Sequence, residues 1–174
     1  NSYRYFSYIQ LRLKKGKMAL FALQDNFKPQ AGVYRANQTP EDWYGKLYYS
    51  IVTKKEKRKT YYTLLGLDFN NALSNIKSVE VMTIQRNKPK FEKGMFFNGS
   101  EHVDRVVLEY SNQVAISARY EPKIDMITYD HLVPLHPIYE NNFEFYGPDG
   151  SFDGLKFDKD TWILQNDIDA RLQY

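Results

Sequence analysis

The chain has 174 residues, enough for one domain with a full core and too few for two ordinary domains and a linker. A hydrophobic fraction of 43% excludes a disordered chain, and 24 Lys and Arg against 21 Asp and Glu leave a net charge of +3, too small for a nucleic-acid-binding face. The absence of cysteine excludes disulfides, thiolate zinc sites and a cysteine nucleophile, and no run reaches the ~18 apolar residues of a membrane span.

Fifteen Tyr and eleven Phe favour pleated surfaces, where broad side chains pack across strands, so the composition points to an all-β fold. Because the chain starts at Asn1 with no signal peptide in view, residues 1–174 are read as a single domain that is either a processed product or an excerpt of a longer precursor.

Residues Tyr3–Leu23 read as two strands joined at Lys14-Lys15-Gly16-Lys17, with Ile9, Leu11 and Leu13 alternating before the turn and Met18, Leu20 and Ala22 after it. Gly16 is expected to take the positive φ of the turn. Asp25–Gln38 reads as a polar loop. Thr39-Pro40-Glu41-Asp42 combines an N-cap residue, Pro at the first helical position and acids in the first turn, which predicts a brief helical turn ending before Gly45.

Tyr44–Asn71 reads as a long central hairpin, covered on both sides. Leu47, Tyr49 and Ile51 are expected to share a face with Tyr61, Thr63, Leu65 and Leu67, and Tyr48, Val52, Tyr62 and Leu64 to fill the other. A strand over Ser78–Ile84 follows, turned by Asn87-Lys88-Pro89. In Val103–Tyr120 the register argument favours a hairpin closed by Ser111–Gln113. It pairs Leu108 with Ile116, leaves Arg105, Glu109, Ser117 and Arg119 outside, and gives Asn112 a left-handed conformation.

After a strand at Ile124–Leu132 and a Pro-punctuated loop, Phe143–Tyr146 precedes a turn at Gly147-Pro148-Asp149-Gly150. The last hairpin joins Phe152–Phe157 to Thr161–Leu164. The expected architecture is an antiparallel meander of about ten to twelve short strands forming a sandwich, open barrel or propeller-like sheet.

Four strings, WYGKLYY, RKTYYTLLGLDFNN, YDHLVP and FYGPDGSFDGLKF, together resemble the C-terminal region of an uncharacterised family of exported cell-envelope proteins of Bacteroidetes. The resemblance runs from about Trp43 to Asp169 and departs from the family at Leu67 and Phe69, where members usually carry Trp and Gly. It implies export and a periplasmic or cell-envelope location, and it carries over no catalytic residue.

Candidate sites follow from residue type and spacing. Lys54, Lys55, Lys57, Arg58 and Lys59 read either as a solvated hairpin tip or as a peripheral contact for an anionic surface such as lipid headgroups or acidic polysaccharide. Asp149, Asp153, Asp158 and Asp160 are the densest acids, suited to tight turns or to calcium, although DGSFDG does not match an EF-hand loop. His102, His131 and His136 lack any metal-ligand spacing. Trp43 and Trp162, with Tyr5, Tyr8, Tyr48 and Tyr146, offer either a stacking platform or cross-strand packing.

With no nucleophile elbow and no phosphate loop, the expectation is a non-catalytic module without cofactor that binds a protein or polysaccharide partner. The alternative is a hydrolase of envelope material using Asp149–Asp160 carboxylates with His131.

Overall fold

The computed structural model describes residues 3–26 and 38–169. It is all-β, with thirteen strands in three sheets: β1 (Phe6–Arg12) and β2 (Met18–Gln24); β3 (Leu47–Glu56), β4 (Lys59–Asp68), β5 (Ser74–Gln85), β6 (Lys88–Phe91) and β9 (Arg105–Ser111); and β7 (Phe96–Phe97), β8 (His102–Val103), β10 (Ala118–Glu121), β11 (Met126–Pro134), β12 (Tyr146–Asp158) and β13 (Thr161–Gln165). Two pairings depart from the expected meander: β13 joins β7 in parallel, and β9 pairs with β5 rather than with a neighbour in sequence.

β5 organises the stack. One edge pairs with β4 along most of its length, and the other is divided between β6 at Met82–Gln85 and β9 at Ser74–Glu80. Its run of buried residues from Ser78 to Thr83 has both faces covered, as expected of a strand in the middle layer. One face contributes Val79 and Val81 to a core shared with Ile127, Tyr129, Leu155 and Trp162 of the six-stranded sheet. The opposite face contributes Met82 to a smaller core that packs Leu64 and Phe91 against Leu23 and Trp43, beneath the β1–β2 ribbon.

The central hairpin is where expected, but its faces are not. A bulge between Tyr48 and Ser50 makes Tyr49 an extra residue and shifts the alternation, so Val52, not Ile51, shares the core face with Thr63. Leu47, Tyr49 and Ile51 are consequently exposed. Only Lys57 and Arg58 form the tip, with Lys57 at φ 53°, and Lys54, Lys55 and Lys59 belong to strands.

Thr39–Asp42 is not helical. Thr39 and Asp42 form an isolated antiparallel bridge in which the Asp42 amide donates to the Thr39 carbonyl at 3.2 Å and to Thr39 Oγ1 at 3.1 Å. The capping chemistry is satisfied without a helix to cap. The expected loop at Asp25–Gln38 falls mostly outside the described residues.

Nor is Val103–Tyr120 a hairpin. β9 joins β5 in the middle sheet and β10 joins β11 in the outer one, so Leu108 and Ile116 belong to the same core without pairing across a ladder. The alternation toward the core was legible, because both strands face the same interior, whereas the partner is set by edges that β5 and β11 leave open. Arg105 is buried rather than outside, and Asn112 is not left-handed.

Gly147–Gly150 is not a chain reversal, because it lies inside β12. There the register jumps from Asp130–Phe152 to Leu132–Pro148 and Gly150 takes φ 92°. The turn chemistry makes a bulge in a continuing strand.

Candidate functional site

In the ribbon, Arg12 pairs with Met18 and Phe6 with Gln24, around a turn in which Lys15 and Gly16 have φ 59° and 72°. That register sends Ile9, Leu11, Phe21 and Leu23 toward the central sheet and Phe6, Tyr8, Met18, Leu20 and Ala22 away from it. The outward side chains are 76% exposed at Phe6, 63% at Tyr8, 65% at Leu20 and 54% at Met18. A ribbon apolar on both faces with one face bare is an unusual surface for an isolated soluble domain, and such contiguous patches mark interaction sites.

A buried polar network fixes the base of the ribbon. Tyr5 donates its hydroxyl to Asp68 Oδ1 at 3.0 Å and its amide to Asp25 Oδ2 at 3.0 Å, while Asp25 Oδ1 accepts the Gly45 amide at 3.1 Å. A Cβ on Gly45 would stand 2.3 Å from the Asp25 carboxyl carbon, so this bond requires glycine. Tyr44 donates to Asp68 Oδ2 at 2.5 Å. Burial raises the Asp68 carboxyl above its ordinary range, against the lowering effect of its two tyrosine donors, and burial likewise pushes the Tyr5 hydroxyl to about 12.

Beyond Tyr44 lies a charged centre that sequence reasoning missed. Lys46 Nζ donates to Glu80 Oε2 at 3.1 Å, Tyr48 donates to Glu80 Oε1, and Gln38 bridges Glu80 to Arg105 by bonds of 3.2 and 2.8 Å. Gly66 makes room for it, since a Cβ there would come within 2.6 Å of the Lys46 stem. Burial drives Lys46 down to about 8 despite Glu80. Burial alone would raise Glu80, but Lys46 and Arg105 outweigh it and hold the carboxylate below its ordinary range. Arg105 Nε and Nη1 are buried without a hydrogen-bond partner. One signal could have revealed this centre: a lone Glu in the otherwise apolar run Val79–Met82 has to find a cation or lose its charge.

Toward its tip the ribbon separates from the sheet and leaves a cleft of about 620 Å³ between Ser7–Leu13 and a floor that includes Tyr48, Tyr62, Leu64, Met82 and Ile84. Its volume is within the usual range of small-molecule sites.

The candidates named from sequence are dispersed. Lys54 turns inward, bonded to Asp125 and lying 5.7 Å from the Trp162 ring. Lys59 pairs with Glu92 at 2.8 Å, and Lys55, Lys57 and Arg58 are exposed. Trp43 and Trp162 are both 0% exposed, so neither is a stacking platform. Their ring N–H groups donate to Tyr48 and Thr63 at 2.8 and 2.9 Å.

Among the described residues no group of three or more His, Cys, Asp or Glu is arranged to hold a metal. Asp149 caps its own turn by accepting from Ser151, Asp158 ends β12, and Asp160 lies in the β12–β13 turn. Asp153 accepts from the Asp167 amide and sits 2.8 Å from His131 Nδ1, a bond that raises the imidazole above its ordinary value. His102 and His136 lie on other elements.

No family model, no curated protein and no solved structure matches this chain.

Proposed function

We propose that the chain is a non-catalytic β-module of the cell envelope or periplasm that docks a protein partner on the outer face of the β1–β2 ribbon. The observation that carries this reading is the exposed apolar stripe of Phe6, Tyr8, Met18 and Leu20 on a ribbon whose inner face is packed against the sheet at Leu23 and Ile9. Aliphatic Met18 and Leu20 suit an apolar protein surface better than a sugar, which calls for flat aromatics with hydrogen-bonding neighbours. Burial of both tryptophans points the same way. The location rests on the family resemblance alone.

A photoreactive amino acid in place of Leu20, in the exported full-length protein, tests the reading in cells. A discrete adduct with another protein is expected, and Tyr8→Glu should abolish it without lowering the melting temperature. Absence of any adduct, adducts only between copies of the chain, or glycan binding blocked by Tyr8→Glu would each overturn it.

A second reading is favoured by the His131–Asp153 bond, which brings together one acid–base pair of a hydrolase. Turnover of an envelope glycan by the purified domain, lost in a folded Asp153→Asn variant, would establish it.

A further inference from the structure

We propose that the cleft between the ribbon and the central sheet binds one single-chain anionic amphiphile, with its alkyl chain along the apolar floor and its head at the basic end of the molecule. This site is distinct from the outward face of the ribbon and does not rest on the docking reading.

Shape and lining argue for the alkyl chain. The cleft runs beneath the seven residues Ser7–Leu13, about 20 Å at ~3.3 Å per residue. Ile9, Leu11, Leu64, Met82 and Ile84 are among its apolar lining. No charged side chain belongs to its floor, where Tyr48, Tyr62 and, at the end, Asn87 are the polar groups. A long, narrow apolar slot fits a flexible chain better than a compact ring system.

Topology supplies the head-group site. The ribbon base is tied to Asp68, at the end of β4, so the ribbon tip points toward the opposite end of the sheet, where the β3–β4 and β5–β6 turns lie. Arg12, Leu13 and Asn87 line the cleft, so it opens at that end. Three turns therefore converge there, carrying Lys14, Lys15 and Lys17, then Lys57 and Arg58, then Arg86 and Lys88, all exposed. Across residues 12–18, 55–60 and 85–90 the single acid is Glu56, and the neighbouring Glu92 is taken up by Lys59 and Lys90, neither of which is among the cations just named. The weak net charge of the whole chain conceals this polarity. Such a rim draws an anionic head and repels a cationic one.

The test is calorimetric titration of the whole chain with dodecanoate, decanoate and dodecyltrimethylammonium, each below its micelle concentration, alongside sedimentation with phosphatidylglycerol vesicles. Saturable binding of one dodecanoate per chain is expected. Removing two methylenes should weaken it about tenfold, and the cationic amphiphile should bind at least about tenfold more weakly than dodecanoate. Filling the slot by Leu11→Trp or, from the floor, Ile84→Trp should abolish binding in whichever variant keeps the wild-type melting temperature. The triple change Lys14→Glu, Lys15→Glu, Arg86→Glu should weaken dodecanoate and strengthen the cation. Equal affinity for both head charges, binding unaffected by either tryptophan, or vesicle binding without binding of dispersed dodecanoate would each overturn the proposal. None of these changes touches Leu20 or Tyr8, so failure here leaves the docking test intact.

Discussion

Glu80 and Arg105 face each other across the β5–β9 ladder, 3.5 Å apart from Oε2 to Nη2, with side chains 4% and 2% exposed. Lys46 reaches the same oxygen from the segment before β3. One buried carboxylate is thus shared between two buried cations.

Glu80→Gln should accordingly destabilise the fold by ~3–5 kcal/mol, the cost of leaving buried charge uncompensated. Lys46→Met added to Glu80→Gln should recover part of that loss by removing one stranded cation. Urea denaturation of the two single variants and the double variant measures the coupling. Additive losses would contradict a shared centre.

Thr63 and Trp162 join the middle and outer sheets by a hydrogen bond of 2.9 Å between two fully buried side chains. Thr63→Val keeps the volume and leaves the indole N–H without an acceptor, which should cost ~1–3 kcal/mol. Thr63→Ser should retain the bond and lose only the methyl contact. The urea midpoints of the two variants decide the matter, because a pure packing effect would rank Ser below Val.

The raised His131 pKa carries a defined pH signature. A histidine that binds its proton more tightly when folded contributes stability in full below its unfolded pKa, near 6.5, and loses it as pH rises through the folded value. Denaturant midpoints should therefore fall more between about pH 6 and 8 in the wild type than in His131→Gln. Identical slopes would mean that the imidazole gains nothing from Asp153.

Glu92 makes the opposite prediction. Burial alone would raise its carboxyl, but bonds from Lys59, Lys90 and Thr83 outweigh it and hold the group down at about 2. Its stabilisation is thus present above about pH 4.5 and lost as pH falls toward 2. Lys59→Ser should move the acid-unfolding midpoint upward, whereas Lys57→Ser, at the exposed tip, should change stability by less than ~0.5 kcal/mol. Acid titration followed by circular dichroism distinguishes the two lysines.

Local features of the fold were legible at three hairpins whose turn and flanking alternation lay within about ten residues. The β1–β2, β3–β4 and β12–β13 hairpins were placed on that basis, and Gly16 takes its expected φ. Sheet membership was not legible, because β9 and β10 carry the same inward alternation whether they pair with each other or face one another across a core. Bulges were hidden for a related reason: Tyr49 and the Asp149–Ser151 segment look like ordinary strand and turn residues until a partner strand fixes the count. The candidate site was least legible of all. Arg105 read as a solvent-facing position, and its long-range pairing with Glu80 is what brings it inside.

The ribbon's ladder is closed on itself. Among the described residues its backbone meets the rest of the protein through the Gln24–Pro40 and Trp43–Gln24 bonds, of 2.7 and 3.0 Å, at one end. The ribbon can therefore swing out on that end as a unit without breaking a rung of the sheet beneath it. A two-stranded ribbon detached from its sheet is only marginally stable, so amide exchange of Ile9, Leu11 and Phe21 should then report a common opening free energy well below that of Val79 and Val81, and occupation of the cleft should raise it toward the global value.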